Sequence, residues 1–363
     1  IIFTSRENIT GANNDNSMGQ WGGVVLLGRA VITDCNTGSA GACERQTEGA
    51  TQPAVYGGAD NTYNAGTMRY VQLRYSGYVL SATFELQALT TGGTGSGTTL
   101  DYIQSHNSSD DAMEFFGGHV NFKHYVATGA DDDSLDVDTG ARGRFQHVLI
   151  VQRPGQGDGL FEIDSNGNEA QTPRTDLIVA NFTAIQSLAS SNNDANNQAS
   201  IMIRGNSDNR WANGVIVSPN NECLRMNGTG TTPVTLVARS VVMQCNATKY
   251  TGTGSFLTGS ASNPADVAAA TARVAAIFGS GANGNNDAYT PSLTGVFING
   301  ATETGVTAID PKTLDAFFDT TNYIGAVKDA NETWHKGWTC NAGYATFDNA
   351  SVAGRACTSL PVS

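Results

Sequence analysis

The chain has 363 residues, and 20 Lys and Arg stand against 33 Asp and Glu, for a formal net charge of −13. This acidic balance argues against nucleic acid and anionic membrane surfaces as partners, and no run of 18 apolar residues exists to span a bilayer. Forty-two Gly and sparse charged residues favour turn-rich β structure over surface helices, which would carry more Lys and Glu.

The chain opens on IIFTSRENIT, without Met and in strand-like sequence, which reads as a processed or incomplete start. SMGQWGGVVLLGRAVI (17–32) follows as a strand, a Gly corner and a second strand, with Trp21 as a core plug. Residues 35–66 are polar and Gly-rich and read as a long loop leaving the body of the fold. MRYVQLRYSGYV (68–79) and FELQALTTGG (84–93) alternate as strands. Arg69, Arg74, Tyr75 and Tyr78 lie there, as strand tyrosines or as a face suited to sugar.

From Leu100 to Asn166 three segments each pass from a short alternating strand through a Gly/Ser/Asp corner to an acidic signature. These are Asp111-Ala-Met-Glu114, Asp133-Ser-Leu-Asp136 and Asp158-Gly-Leu-Phe-Glu162, with lead aspartates 22 and then 25 residues apart. A period of 20–30 residues signals stacked repeats. Strands this short, without paired amphipathic helices, suit the coils of a parallel β-helix. TDLIVANFTAIQ (175–186), ASIMIRGNSDN (199–209), WANGVIVSP (211–219), ECLRMNG (222–228) and PVTLVARSVVMQC (233–245) continue the stacking.

NPADVAAATARVAAIF (263–278) breaks the pattern. Asn263 as cap, Pro264 in the first turn and apolar Val267, Ala270, Val274 and Ile277 at helical spacing predict an α-helix on the side of the stack. TGVFING (294–300) and AFFDTTNYIGAV (316–327) read as renewed strands, and WHKGWTC (334–340) as a Trp-rich cap over the open core. The expected organisation is therefore an all-β, right-handed parallel β-helix over 1–262, a side helix and linker over 263–283, and last coils with a C-terminal cap over 284–363.

Six cysteines admit 15 pairings, but they fall into local pairs: Cys35 with Cys43, Cys223 with Cys245, and Cys340 with Cys357. Cys223 and Cys245 lie 22 residues apart, one coil period, which would stack them directly within disulfide reach. None has zinc-site spacing, so the six are expected as three disulfides of an exported protein.

If the coils stack in register, Asp110, Asp111, Asp132, Asp133, Asp136 and Asp138 gather on one face near a corner, with Leu135 and Val137 pointing into the core. Glu114, Asp158, Glu162 and Asp164 extend these columns. Carboxylates at this density suit Ca²⁺, which takes six to eight oxygens. The competing expectation is a solvated ladder paired with Lys123, Arg142 and Arg144. His106, His124 and His147 recur at spacings of 18 and 23 and are expected to stack.

Gln20-Trp21-Gly22-Gly23 with LLGRA, the YSGY turn, SDDAMEFFGG, TGADDDSLD and the ending YIGAV…W..GWT together resemble a group of secreted or surface-attached right-handed parallel β-helix proteins of Gram-negative bacteria. The group has no established activity, so the resemblance implies fold and location rather than chemistry. Asp110-Asp111 and Asp132-Asp133 also resemble the paired aspartates of polygalacturonase-like hydrolases, and Gly117-Gly118-His119 resembles their Gly-His element. The chain lacks that class's Asn-x-Asp and Arg-x-Lys motifs. A pectate-lyase-like mechanism would need Ca²⁺ and a base, for which Lys123, Arg142 and Arg174 are candidates.

Two functions follow as expectations. The leading one is a non-enzymatic extracellular or cell-surface structural or adhesive protein, self-associating through the ends of the β-helix to form filaments. The alternative is a lyase or hydrolase acting on acidic polysaccharide through Asp111, Asp132 and Asp133 with Lys123 or Arg142.

Overall fold

The structure, a computed structural model, describes residues 1–38, 43–50, 54–81, 84–165, 170–189, 199–228, 234–254, 264–347 and 355–360. Two eight-stranded parallel sheets form its body. The long sheet stacks Ile2–Phe3, Thr67–Arg74, Thr99–His106, His119–Thr128, Arg142–Val151, Asp176–Ile185, Asp208–Ser218 and Thr235–Cys245. The short sheet stacks Val24–Leu27, Leu89–Gly92, Met113–Phe116, Asp136–Asp138, Phe161–Ile163, Ala199–Ile203, Glu222–Gly228 and Tyr250–Gly254. The chain visits the two sheets alternately, one strand of each per turn, which makes a parallel β-helix.

Each long strand from the second onward is bent at one residue. Tyr70, Tyr102, His124, His147, Asn181, Asn213 and Ser240 all sit in the left-handed region, with φ between 51° and 57°. Five of the seven, in the first four of these coils and the last, are neither Asn, Asp nor Gly, and the column still holds because its side chains are used. Tyr70 stacks on Tyr102 (4.4 Å), Tyr102 on His124 (3.9 Å) and His124 on His147 (4.9 Å). Such backbone is costly for bulky residues and persists where the surroundings over-determine it.

Inside the coils, residues at alternate positions meet in one apolar core, with Phe115, Phe122, Phe145, Phe161, Phe182 and Trp211 fully buried. Trp21 packs on its N-terminal side as expected, donating from Nε1 to the Arg74 carbonyl at 2.8 Å.

The two ends of the expected layout exchange roles. The helix Pro264–Phe278 forms where the sequence predicts it, although Asn263 lies outside the described residues. It covers the last coil rather than the side: Val274 and Phe278 join the interior core, and the Phe278 ring stacks on Tyr250. The segment expected as last coils and cap adds no strand to either sheet among the described residues. TGVFING and AFFDTTNYIGAV form only isolated bridges, Thr294 with Ile298 and Ile298 with Val327. The tail instead runs back along the outside of the long sheet. The bend column holds it: Ser240 Oγ donates to the Thr307 carbonyl (2.7 Å), Asn213 Nδ2 to Ile309 (2.8 Å) and Asn181 Nδ2 to Tyr323 (2.8 Å), while Trp334 packs by His124 and His147 and Trp338 by Tyr70 and Tyr102. Trp-rich sequence is apolar enough to cap a core, but here it finds Val126, Leu149 and Ile185 on the outer face of the long sheet.

All three expected disulfides are present. The reason given for the middle one needs correction. Cys245 pairs in register with Ser218, and the Cys223 N–H bonds to Lys249, so the bridge crosses a corner between the sheets instead of joining stacked positions. The last bridge, Cys340–Cys357, packs against Tyr75 near the first coils.

Candidate functional site

The acidic signatures lie on the short sheet. Its register pairs Glu114 with Asp136 and Asp136 with Glu162, and brings Phe116 onto Asp138. Val137 between the two aspartates is fully buried in the core, as is Leu135, so the acids face outward as the alternation requires. One strand earlier, the Asp133 N–H donates to Asp111 Oδ1 at 2.9 Å, and Gln87 Nε2 donates to Asp110 Oδ2 at 3.3 Å.

These side chains do not stand in open solvent. The disulfide-closed loop, with its short antiparallel pair Arg45–Gln46 and Val55–Tyr56, folds over this face, where Cys43, Tyr56, Ile32 and Phe116 pack together. With the hairpin Tyr78–Ser81 and Phe84–Leu86 it walls a cleft of about 400 Å³. Eleven acids line it (Glu48, Glu85, Asp110, Asp111, Glu114, Asp132, Asp133, Asp136, Asp138, Glu162 and Asp164) against two cations, Arg45 and Arg204. Asp110 and Asp111 are each 5% exposed and Asp133 4%, while Asp132 is more open. Gly159 keeps the cleft clear, since a Cβ there would meet Asp133 Oδ1 at 2.3 Å.

Burial and mutual repulsion raise these carboxyls. Desolvation, then Asp132, pushes Asp110 up to about 8; desolvation, then Glu162, pushes Asp132 up to about 6; and desolvation, then Asp164, pushes Asp138 up to about 8. Asp111, Glu114, Asp133 and Asp136 are raised well above the ordinary range, first by burial and then by neighbouring acids. Hydrogen bonds between carboxyls, Asp110 with Asp132 and Asp133 with Glu162, relieve part of the strain. Two sets of carboxylate oxygens, from Asp110, Asp111 and Asp132 and from Asp111, Asp133 and Asp136, lie within 4.8 Å of one another. Asp136 Oδ1 is buried without a hydrogen-bond partner. Chemically, the cleft can exchange its protons for a hard cation, or it can use a protonated and an ionised carboxyl side by side.

All six aspartates expected on one face are thus brought together, but as a covered cleft rather than a solvated ladder. The cations expected beside them are elsewhere, because Lys123, Arg142 and Arg144 fall on the long sheet and Arg174 just ahead of one of its strands. Lys123 binds Asp319 of the tail at 2.8 Å, Arg142 binds Asp315 at 3.1 Å, Arg144 binds Asp176 and Asp315, and Arg174 binds Asp208. None of these lines the cleft. His119 lies with Arg142 and Asp176 in a separate groove. His106 is not in the histidine stack. It sits four residues past the bend, fully buried, hydrogen-bonded to Thr128, and burial drives it down to about 3. Tyr102 takes the place expected for it. Asp158 borders a small hollow next to the cleft. Of the Arg/Tyr face, Arg74 and Tyr75 are buried while Tyr78 is exposed.

Sequence reasoning missed Arg45 and Arg204. Arg204 bridges Glu162 and Asp164, the latter at 2.9 Å, and Arg45 pairs with Asp34. Ile203 stacks on Ile163, so Arg204 continues the acidic column, but the 40 residues between them hide the period.

A chain that alternates between two parallel sheets and carries a functional-looking cleft on one of them is a member of the parallel β-helix class. A family model described as a pectate-lyase-like β-helix domain matches residues 1–339, and the chain belongs to that family. No curated protein and no solved structure matches it.

Proposed function

We propose that the protein acts on polysaccharide through the acidic cleft, with Asp110 as the acid and Asp132 as the nucleophile of glycosidic cleavage and with a hard divalent cation, Ca²⁺ in the first place, held by the inner set Asp111, Asp133 and Asp136. The observation that carries this reading is the gathering of eleven carboxyls against two arginines in one covered cleft. A scaffold gains nothing from such a site, since each buried, unpaired carboxyl destabilises the fold at neutral pH. Asp110, protonated to about pH 8, can donate to a leaving oxygen, while its partner Asp132 ionises first, near 6. Two carboxyls with separated pKa values suit glycoside hydrolysis, and oxygens within 4.8 Å of one another suit its retaining form, in which the Asp132 carboxylate takes the anomeric carbon as Asp110 protonates the leaving oxygen, and Asp110 then draws the proton from the water that frees Asp132. The hydrolytic reading is preferred to elimination because both arginines of the cleft are tied to carboxylates, leaving no basic side chain among the described residues poised beside the cation set.

The structural and adhesive function expected from sequence has less support. Filament growth needs open strand edges, and the helix Pro264–Phe278 covers the last coil. An extracellular or cell-surface location in a Gram-negative bacterium is part of the proposal. Three disulfides support an oxidising compartment, and among the described residues no helix is long and apolar enough to cross a membrane.

Product release should be measured over a panel of neutral and acidic glycans. Asp110→Asn and Asp132→Asn should each lower turnover at least about 100-fold. Absence of products from every glycan, with the wild-type protein folded and supplied with Ca²⁺, would reject the enzymatic reading. Melting temperature should rise in millimolar Ca²⁺, and Asp133→Ala should abolish the rise.

A further inference from the structure

Beside the acidic cleft lies a second, larger cavity of about 630 Å³. Arg45, Glu48 and Phe116 line both, so the two adjoin. Their chemistry differs sharply. The acidic cleft offers a carboxyl in almost every direction. The neighbouring cavity is walled by Leu80, Ala50, Tyr56 and Phe116, with Asn36, Gln46 and Thr47 supplying uncharged polar groups. Leu80 is 45% exposed, a large apolar side chain held open on the hairpin where its Cδ1 reaches toward Gly49. The Arg45 guanidinium stands 6.0 Å from the Phe116 ring centre, at the junction between the two spaces.

A polymer occupying both spaces meets two constraints. Its backbone crosses a cleft where eleven acids outnumber two arginines, so that wherever these acids ionise without a cation they repel a free carboxylate. Whatever it projects sideways enters a largely apolar cavity with amide and guanidinium donors at its rim. An ester fits both: its carbonyl accepts from Arg45, Gln46 or Asn36, its methyl fills the space along Leu80 and Tyr56, and its uncharged state removes the repulsion. We infer that this cavity receives an O-acetyl or methyl-ester substituent of the glycan, so that the preferred substrate is an esterified, charge-poor polysaccharide rather than a free polyuronate. This inference rests on the glycan-cleaving reading of the acidic cleft.

The test uses matched pairs that differ only in the substituent: acetylated and deacetylated xylan, and methyl-esterified and de-esterified polygalacturonan. Binding by affinity electrophoresis and product release are measured for the full chain and for Leu80→Asp and Leu80→Ala, each checked for a wild-type circular dichroism spectrum. In at least one pair the esterified member should bind about tenfold or more tightly, the scale on which an apolar pocket discriminates a small group. Leu80→Asp should bring that ratio to within about twofold, with Leu80→Ala in between. A preference for the free polymer in both pairs, or an ester preference untouched by Leu80→Asp, would overturn the inference while leaving the cleft's activity standing. If no polymer is bound or cut, the functional reading itself falls and the inference with it.

Discussion

On the long sheet Asp176 lies between Arg144 and Arg210, at 2.8 and 2.6 Å, and Asp315 of the tail accepts from Arg144 and Arg142. Burial alone would raise both carboxyls, but the guanidiniums and local hydrogen bonds outweigh it and hold them below the ordinary range. On the short sheet of the same coils Glu114, Asp136 and Glu162 follow one another in register, and all three are raised. Coil stacking sets like charges in column on the short sheet but opposite charges on the long one, where Asp101 lies between Arg69 and Lys123 and Arg142 pairs with Asp176. Only one of them is neutralised from within the chain. The fold is therefore able to pair its carboxylates, and the deficit in the cleft is specific to that site.

The largest expected effect breaks the neutralised side. The Arg144 side chain is 4% exposed and also donates to the Gly143 and Asp176 carbonyls. Arg144→Met should destabilise the protein by about 3 kcal/mol in denaturant unfolding, because it removes the one buried guanidinium shared by two carboxylates, which keep only the more exposed Arg210 and Arg142. It should leave the Ca²⁺ response of melting intact. A loss below about 1 kcal/mol would mean that the pairing contributes nothing to the fold.

The next effect separates the two sheets by pH. Asp110 and Asp138 titrate near 8 and Asp132 near 6 in the folded protein, against about 3.9 when unfolded. The native state therefore binds more protons across this window. The stability from these groups is complete below pH 4 and is lost as pH rises to 8. Asp176 and Asp315 act in the opposite sense, losing their contribution as pH falls through their lowered values. In chelator, melting temperature should drop by roughly 5 °C or more between pH 5 and 8, and millimolar Ca²⁺ should flatten the profile. A melting temperature that climbs over this range without cation would contradict the raised carboxyls.

A matched substitution then gives opposite signs. In chelator at pH 8, Asp136→Asn should stabilise the protein by about 1 kcal/mol through relief of repulsion, since sites kept for function are a common source of stabilising changes. Asp176→Asn should destabilise it. Equal signs from calorimetry would erase the distinction between the sheets.

Much of this architecture is legible in the sequence where the coils are short. The 22-residue step from Asp111 to Asp133 places both residues together, and Leu135-Asp136-Val137-Asp138 states which side chains face inward. Legibility fails where a coil lengthens or a residue turns. The bends at Tyr102 and His124 carry positive φ inside an unbroken strand pattern, so the 18-residue spacing puts His106 in a stack that Tyr102 occupies, and nearness in sequence puts Lys123 beside acids that lie on the other sheet. The tail fails for another reason. Its apolar residues bury against the outside of the long sheet, and a sequence gives no sign of whether an apolar run covers a core end or a core side. The cleft's covering loop is likewise silent, because its residues act through position over the short sheet and not through any motif of their own.

The smallest effect compares two arginines of similar exposure. Arg210 and Arg204 have side chains 37% and 43% exposed, and each contacts carboxylates. At this exposure solvent and salt screen the interaction, so Arg210→Ala should change stability by less than about 1 kcal/mol. Asp176 keeps Arg144, which limits the loss further. Arg204→Ala removes one of only two cations from the cleft, leaving Glu162 and Asp164 to share its repulsion. Its direct cost is also small, but it should act on the site: the pH at which cation-free stability begins to fall should move, and Ca²⁺ should bind more tightly because a competing positive charge is gone. Calorimetric titration of both variants with Ca²⁺ distinguishes them. Arg204→Ala should gain affinity by a few fold while Arg210→Ala matches the parent. Identical affinities would mean that the cleft's charge deficit does not govern cation binding, and that the contrast between the sheets is one of burial alone.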